Sequence, residues 1–401
     1  MAGVLSGIRV LDFGRYIAGP YCATLLGHLG AEVIRIEKLA GGEDRYVYPL
    51  SWDDDGRERE GSMFLQTGAN KKSVALNPIK PEGREIVKKL VKTADVVVVN
   101  LPKPALENMG LDYASLSAIK PDIILTNIST FGPRGPYANR GGFDGIAQVM
   151  SGAAWFSGEE GKPMKSNAPW VDFGTAQFSA FGTLAAIMHK QQTGEGQEVE
   201  GALLRTGLTF MNGLLGEQAI LGLNRQPTGN RVQTSAPSDI FATKDGHILT
   251  HTVGNGLFRR WAQMIGEEEK WADDPRFQSD QTRGNHRDEI CARMADWCAE
   301  RTTDEALAAC TEHGVPAGPV LTAQQALENE QVQAMGDLEP IEYPNVDKPV
   351  PTMGLPVRMS KSETGHRMRA PLLGEHTDEI MTELGYSAEE MKKLREGRII
   401  G

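Results

Sequence analysis

Asp172 sits between Trp170-Val171 and Phe173-Gly174-Thr175-Ala176, at the head of a stretch, Phe173 to Gln191, made mostly of good helix formers. A carboxylate in that place has two uses. It can accept the first-turn amides as a helix N-cap, or the positive end of the helix can keep it ionised and able to attack a carbonyl carbon. A second group is basic: Asn70-Lys71-Lys72-Ser73 reads as lying just before a strand, and Lys38 follows a strand pattern that ends at Glu37. Ligands of open α/β sheets collect beyond the carboxyl ends of the strands, so these lysines are either candidate phosphate ligands or a solvated face. Other chemistries lack their motifs. Gly14, Gly19 and Gly27 do not have GxGxxG spacing, no GxxxxGK[ST] or GxSxG occurs, and the eight histidines include no HExxH pair. Cys22, Cys291, Cys298 and Cys310 contain no CxxC and are read as idle thiols, not a disulfide framework or zinc site.

The elements that must position Asp172 and the lysines alternate. Ile8 to Phe13 reads as a strand running into Gly14 and Ala18-Gly19-Pro20, with a helix over Tyr21 to Leu29 stopped by Gly30. Glu32 to Glu37 alternates as a strand does, Pro81 opens a helix with Ile86, Val87, Leu90, Val91 and Ala94 on one stripe, and Val96 to Val99 and Asp122 to Ile128 read as buried strands. Strand and helix in alternation predict a doubly wound, largely parallel sheet. Thr193-Gly194-Glu195-Gly196 stops the Asp172 helix, a second helix runs from about Leu203 to Leu223, and Asn224 to Pro237 reads as a linker. Ile240 to Thr252 then reads as a hairpin turning at Lys244-Asp245-Gly246, and the proline-spaced stretch from Pro340 to Pro356 as a return connection. The organisation expected is a large domain over 1–195, a helical linker over 196–236, a small α+β domain over 237–320, and a return linker with the rest of the large domain over 321–401.

With 401 residues, 40% hydrophobic and 24% charged, the chain can bury a core, and 42 Lys plus Arg against 53 Asp plus Glu leave a net charge of −11. That charge argues against general nucleic-acid binding. No apolar run reaches the ~18–20 residues of a membrane helix, and the first residues lack a charged-then-apolar signal pattern, so the expectation is a cytoplasmic protein without a membrane partner.

The motifs taken together resemble one family. Leu11-Asp12-Phe13, Ala18-Gly19-Pro20, Gly30-Ala31-Glu32-Val33-Ile34, Asn70-Lys71-Lys72-Ser73, Ala94-Asp95-Val96 with Asn100, Gly142-Phe143-Asp144, Ala147-Gln148 with Ser151-Gly152, Asp172, Thr193-Gly194-Glu195-Gly196-Gln197, and Ala370-Pro371 with Leu373-Gly374-Glu375-His376-Thr377 are similar to class III CoA-transferases, which include formyl-CoA and carnitine CoA-transferases and the related 2-methylacyl-CoA racemases. The resemblance implies an α/β fold with a Rossmann-like large domain built from both chain ends, a smaller middle domain, and two chains interlocked as rings in an obligate homodimer. It implies that Asp172 is the nucleophile, passing through an aspartyl anhydride and an aspartyl-CoA thioester. Coenzyme A is then a substrate, brought as acyl-CoA, with a carboxylic acid as acceptor and no permanent cofactor or metal.

By the same resemblance Tyr16, Ile17 and Ala18 line the thiol end of CoA, and Lys38, Lys72, Asn100 and Leu101 surround its nucleotide. Asn108 stands where formyl-CoA transferase has an arginine, and Gly229-Asn230 is at most a shortened form of that enzyme's glycine loop. The alternative activity is racemisation, but Phe143, immediately before Asp144, stands where the racemases carry a histidine, so one of two bases is missing. A non-catalytic acyl-CoA-binding protein is the third reading, opposed by the presence of Asp172. Arg15 and Arg45 are either surface arginines or planar partners for a second carboxylate, which favours a short dicarboxylic acid such as succinate.

Overall fold

Four consecutive valines, 96–99, are buried on both faces, as a strand deep inside a parallel sheet must be. In the computed structural model, which describes residues 3–52, 54–56 and 59–401, that strand lies inside a six-stranded sheet. The chain order is β1 (Arg9–Asp12), α1 (Ala18–His28), β2 (Glu32–Glu37), α2 (Ser62–Thr67), β3 (Lys71–Ala75), α3 (Pro81–Thr93), β4 (Val96–Val99), α4 (Lys103–Met109), α5 (Tyr113–Ile119), β5 (Ile124–Ser129), α6 (Asp144–Met150), the short α7 (Ala153–Phe156), α8 (Trp170–Thr193), β6 (Glu198–Ala202) and α9 (Leu203–Leu221). The spatial order is β3-β2-β1-β4-β5-β6, and every neighbouring pair is parallel. This is the doubly wound arrangement that the alternation predicts, and its strand order reverses between β1 and β4.

The pleat sorts the core into two layers. Val10, Val33, Val96, Val98 and Ile124 face α1 and α8, while Leu11, Ile34, Val97, Val99 and Leu125 face α3, α5 and the two last helices, Thr377–Glu383 and Ala388–Glu396. Each such side chain fully removed from water contributes roughly 1.5–3 kcal/mol. Both ends of the chain therefore build one unit, which comprises Met1–Ser151, Ser166–Asn212 and Gln333–Gly401.

The second unit comprises Gly152–Lys165 and Gly213–Val332. It holds an antiparallel sheet of β7 (Ser238–Ala242), β8 (His247–His251) and β9 (Ala317–Pro319) in that order. Its core gathers Phe258, Trp261, Trp271, Phe277, Met294 and Trp297. Among the described residues no helix is long and apolar enough to cross a membrane.

Several local expectations are corrected. Residues 198–202, expected to begin a helical linker, form edge strand β6 beside β5; its alternating Glu198-Val199-Glu200 was masked by the glycine stop before it. Lys71, Lys72 and Ser73 do not precede a strand but form most of β3. The return stretch contains its own antiparallel pair, β10 (Leu338–Ile341) and β11 (Val350–Met353).

Candidate active site

The loop after β1 and the residue after β4 meet at the point where strand order reverses. Arg15 donates its amide to Asn100 Oδ1 at 2.7 Å, and Asn100 Nδ2 donates back to the Arg15 carbonyl at 2.8 Å. Gly14 has no room for a side chain, because a Cβ there would stand 2.6 Å from Pro20 Cδ and 2.7 Å from Asp12 Oδ1. Tyr16 follows in the left-handed region, φ 60°, and then Ile17 and Ala18, both buried, open α1. So Asn100, expected beside the nucleotide, spends its amide on shaping this loop.

Beneath the loop lies a buried charge network. Asp12 Oδ2 accepts from Lys71 Nζ at 2.7 Å and lies 3.6 Å from Arg35, Arg35 bonds Asp44 Oδ2 at 2.5 Å, and Glu37 receives Arg45 at 2.6 and 2.8 Å. Three carboxylates thus offset three cations out of water. The network grips the loop directly: Asp12 Oδ1 accepts the Gly14 amide at 2.7 Å, Asp44 Oδ2 the Tyr16 amide at 3.2 Å, and Lys71 donates to the Pro20 carbonyl at 2.6 Å. Burial alone would raise the Glu37 carboxyl, but Arg35, Arg45 and the Ser73 hydroxyl hold it down at about 2. Burial lowers the Lys71 ammonium to about 8 in spite of Asp12.

Beyond the carboxyl ends of β1 to β4 opens a cavity of about 720 Å³, lined by Phe13, Arg15, Glu37, Lys38, Leu39, Glu43, Asn77, Lys80, Leu101, Asn108 and Arg398 among others. This is where a doubly wound sheet binds its ligand. Its cations are Arg15, Lys38, Lys80 and Arg398, of which Lys38 lies 3.3 Å from Glu43 and Lys80 donates to the Gly397 carbonyl. Lys80 and Arg398 were not singled out in the sequence; Lys80, directly before the Pro81 helix start after a strand, carried a usable signal, whereas Arg398 is brought in only by the returning chain end. Arg84 Nη2 reaches Asn108 Oδ1 at 3.3 Å, so a guanidinium stands beside the position where the resemblance expects an arginine.

Of the residues expected around CoA, Lys38 and Leu101 line the cavity, while Tyr16, Ile17, Ala18 and Asn100 shape the loop beside it and Lys72 does not join it; nor does Arg45. Lys72 is held by Glu32 at 2.8 Å and Glu379 at 2.7 Å, because as the second residue of β3 it points away from the strand ends. Arg45 is buried against Glu37, the Pro371 carbonyl and the face of Phe64, so it offers no free fork to a substrate. The Asn70–Ser73 motif as a whole ties down the C-terminal segment: Asn70 accepts from the amides of Arg367 and Met368, and Ser73 Oγ accepts the Gly374 amide at 2.9 Å. Gly229, in the smaller unit, donates its amide to the Gly158 carbonyl at 2.8 Å.

Asp172 is not the N-cap of α8. Pro169 occupies that position and makes no side-chain cap bond, while Asp172 is the third helical residue. The orphan amides are capped from another helix: Asp144, at the start of α6, accepts from Val171 at 2.8 Å and Asp172 at 3.0 Å through Oδ2. Gln148 donates to the other Asp144 oxygen and accepts the Ser166 amide at 2.9 Å. Asp144 is therefore fully engaged, and among the described residues the half-buried Asp172 carboxylate makes no ion pair or hydrogen bond of its own. The helix end does not keep it acidic, as the sequence suggested. Burial, aided by the negative charge of Asp144, pushes it up to about 7.

A doubly wound sheet with a cation-bearing cavity at its reversal point and an unpaired aspartate of raised basicity nearby in the same unit defines an α/β enzyme of nucleotide-binding architecture. The chain matches the family profile described as CoA-transferase family III over residues 5–377, and it belongs to that family. It is 33% identical to a succinate–glutarate CoA-transferase of Agrobacterium fabrum (strain C58), over 95% of each chain. It is also 33% identical to a succinyl-CoA–D-citramalate CoA-transferase of Chloroflexus aurantiacus, over 99% of this chain and 98% of that one. A crystal structure of a CAIB/BAIF family protein from Brucella suis superimposes with a TM-score of 0.82 at 31% identity, covering 96% of this chain and 100% of that one. The transferase class expected from the motifs is the class these comparisons give.

Proposed function

We propose that the protein moves CoA from an acyl-CoA donor to a carboxylic acid acceptor through covalent intermediates on Asp172. The observation that carries this is the state of that carboxylate: aimed by no cation, raised in basicity, and anchored through its own backbone amide by Asp144. A more basic carboxylate is a better nucleophile once ionised. Its oxygen attacks the thioester carbonyl, expelling CoA thiolate and forming a mixed anhydride. The thiolate attacks the aspartyl carbonyl, releasing the donor acid and leaving an aspartyl-CoA thioester. The acceptor carboxylate attacks that thioester, and the expelled thiolate then takes the acceptor acyl group, freeing Asp172. No net proton is consumed, and the thioester's free energy is retained throughout.

The cavity beyond β1 to β4 receives the nucleotide end, with Arg15, Lys38, Lys80 and Arg398 facing its phosphates and Leu101 its base; Tyr16, Ile17 and Ala18 lead toward the thiol. Arg15 therefore serves CoA in this reading. A short dicarboxylic acid remains the favoured acceptor because both relatives named above transfer CoA between such acids. The working form is a homodimer, a second copy covering apolar residues that one chain exposes on α8, Phe178, Phe181 and Met188. A monomer by light scattering at micromolar concentration overturns that part.

The test is one incubation with succinyl-CoA and glutarate, followed by mass spectrometry. Wild type forms glutaryl-CoA, hydroxylamine added with the donor alone labels the Asp172 peptide, and Asp172→Ala loses transfer by on the order of 10⁴-fold. Wild-type rates in that variant end the assignment. Racemisation is separated by running a 2-methylacyl-CoA in heavy water: with Phe143 in place of a second base, the alpha carbon gains no deuterium, and rapid exchange without acceptor would reverse the reading.

A further inference from the structure

Two aromatic pairs join the start of α1 to the heads of α6 and α8. Tyr21 meets Phe173 edge-on with ring centroids 4.8 Å apart, and Tyr16 meets Phe143 edge-on at 5.4 Å and 88°. The first pair is core, with Tyr21 only 3% exposed. The second is open, since Phe143 is 62% exposed, and helix stability does not account for it. Phe143 occupies the N-cap of α6 and makes no side-chain cap bond, where Ser, Thr, Asp or Asn would accept a first-turn amide. Tyr16 is equally uneconomic locally, a non-glycine residue at φ 60° held there by Asp44 on its own amide and Asn100 on its neighbour. Residues that break local rules and are over-determined by their surroundings gather at working sites. Phe143 directly precedes Asp144, whose carboxylate grips the Asp172 amide, and Phe173 directly follows Asp172, so each pair contributes one ring that is a chain neighbour of the Asp144–Asp172 contact.

We propose that the Tyr16–Phe143 pair is a water-excluding wall beside Asp172 that sets the partition between CoA transfer and acyl-CoA hydrolysis. The inference rests on the anhydride reading above. Water that reaches either anhydride carbonyl places its oxygen on that carbon, breaks the bridging C–O bond, and releases donor acid, a proton and the regenerated Asp172 carboxylate, while CoA already expelled leaves as thiol. The net reaction, acyl-CoA plus water to acid plus CoA, competes directly with thiolate recapture. Excluding water from a reactive intermediate suppresses this branch, and the burial that raises Asp172 is consistent with such a wall.

The test uses full-length enzyme with succinyl-CoA and glutarate in heavy-oxygen water, counting glutaryl-CoA against unrecaptured CoA thiol, the label entering succinate when water attacks the succinyl carbonyl and the Asp172 carboxylate when it attacks the aspartyl carbonyl. Phe143→Ala is expected to raise the hydrolysis-to-transfer ratio by about tenfold with an unchanged melting temperature, whereas Phe143→Leu, which keeps apolar cover, restores it. A ratio unchanged in Phe143→Ala, or hydrolysis and transfer falling in parallel, overturns the wall. A wild type that transfers no CoA at all instead removes the transferase reading, so the two failures are told apart.

Discussion

Two groups of buried or half-buried carboxylates in the large unit meet opposite fates. Under the loop after β1, Asp12, Glu37 and Asp44 each face a cation, and Glu37 is held at about 2. At the heads of α6 and α8, Asp144 and Asp172 face only amides, an amide side chain and each other, and Asp172 is pushed up to about 7. Folding alone would favour the first solution everywhere, because unpaired charge is costly away from water. The second arrangement is the kind in which reactivity is kept at the expense of stability, which is why the proposed function is placed there. The paired network is scaffold for the Tyr16 loop; in the proposed reading the unpaired couple is the reacting end.

The largest effect expected from breaking this contrast is on the paired side. Asp12→Ala leaves Lys71 and part of Arg35 uncompensated in a fully buried place and frees the Gly14 amide, so it should cost about 3–5 kcal/mol and lower the melting temperature markedly. Denaturant unfolding measures it. A loss within about 0.5 kcal/mol, the range of ordinary surface substitutions, would show that the network is not holding the loop. Neutralising Asp172 should have no such penalty, because no cation depends on it.

How much of this was readable before the structure follows from the same contrast. β1, β2, β4 and β5 and the helices α1, α3, α8 and α9 were legible because one apolar face per helix and apolar or alternating strands are local patterns. Asp172 was legible as a residue, and its role came from motif resemblance, but its environment was not: the cap on its helix comes from Asp144, 28 positions earlier. The Asn70–Ser73 motif misled for the same reason. Its lysines look like ligands in one dimension, yet Lys71 meets Asp12 and Lys72 meets Glu379 only through sheet pairing and the return of the C-terminal helices. Arg45 was misread because a guanidinium buried by Glu37 and Phe64 has the same sequence signature as one on the surface. Edge strand β6 was lost behind Gly194 and Gly196.

The smaller expected effect is on the unpaired side and concerns pH. If Asp172 is the nucleophile proposed above, it attacks only when ionised, and because burial raises its pKa, kcat/KM should climb with pH up to and through about 7 and fall off as pH drops below it. Burial is the first cause of the shift and the Asp144 charge the second. Asp144→Asn removes that charge while its side-chain oxygen can still accept the Val171 and Asp172 amides. The ascending limb should then move to lower pH by on the order of one unit, without reaching the ordinary aspartate range, because the burial remains. The plateau rate should drop as well, since a less basic carboxylate is a poorer nucleophile. A limb that stays at about 7 in Asp144→Asn would assign the whole shift to burial and leave Asp144 as a cap alone. A wild-type limb near 4 would mean that Asp172 is solvated and paired in the working enzyme, and the contrast between the two carboxylate groups would fail.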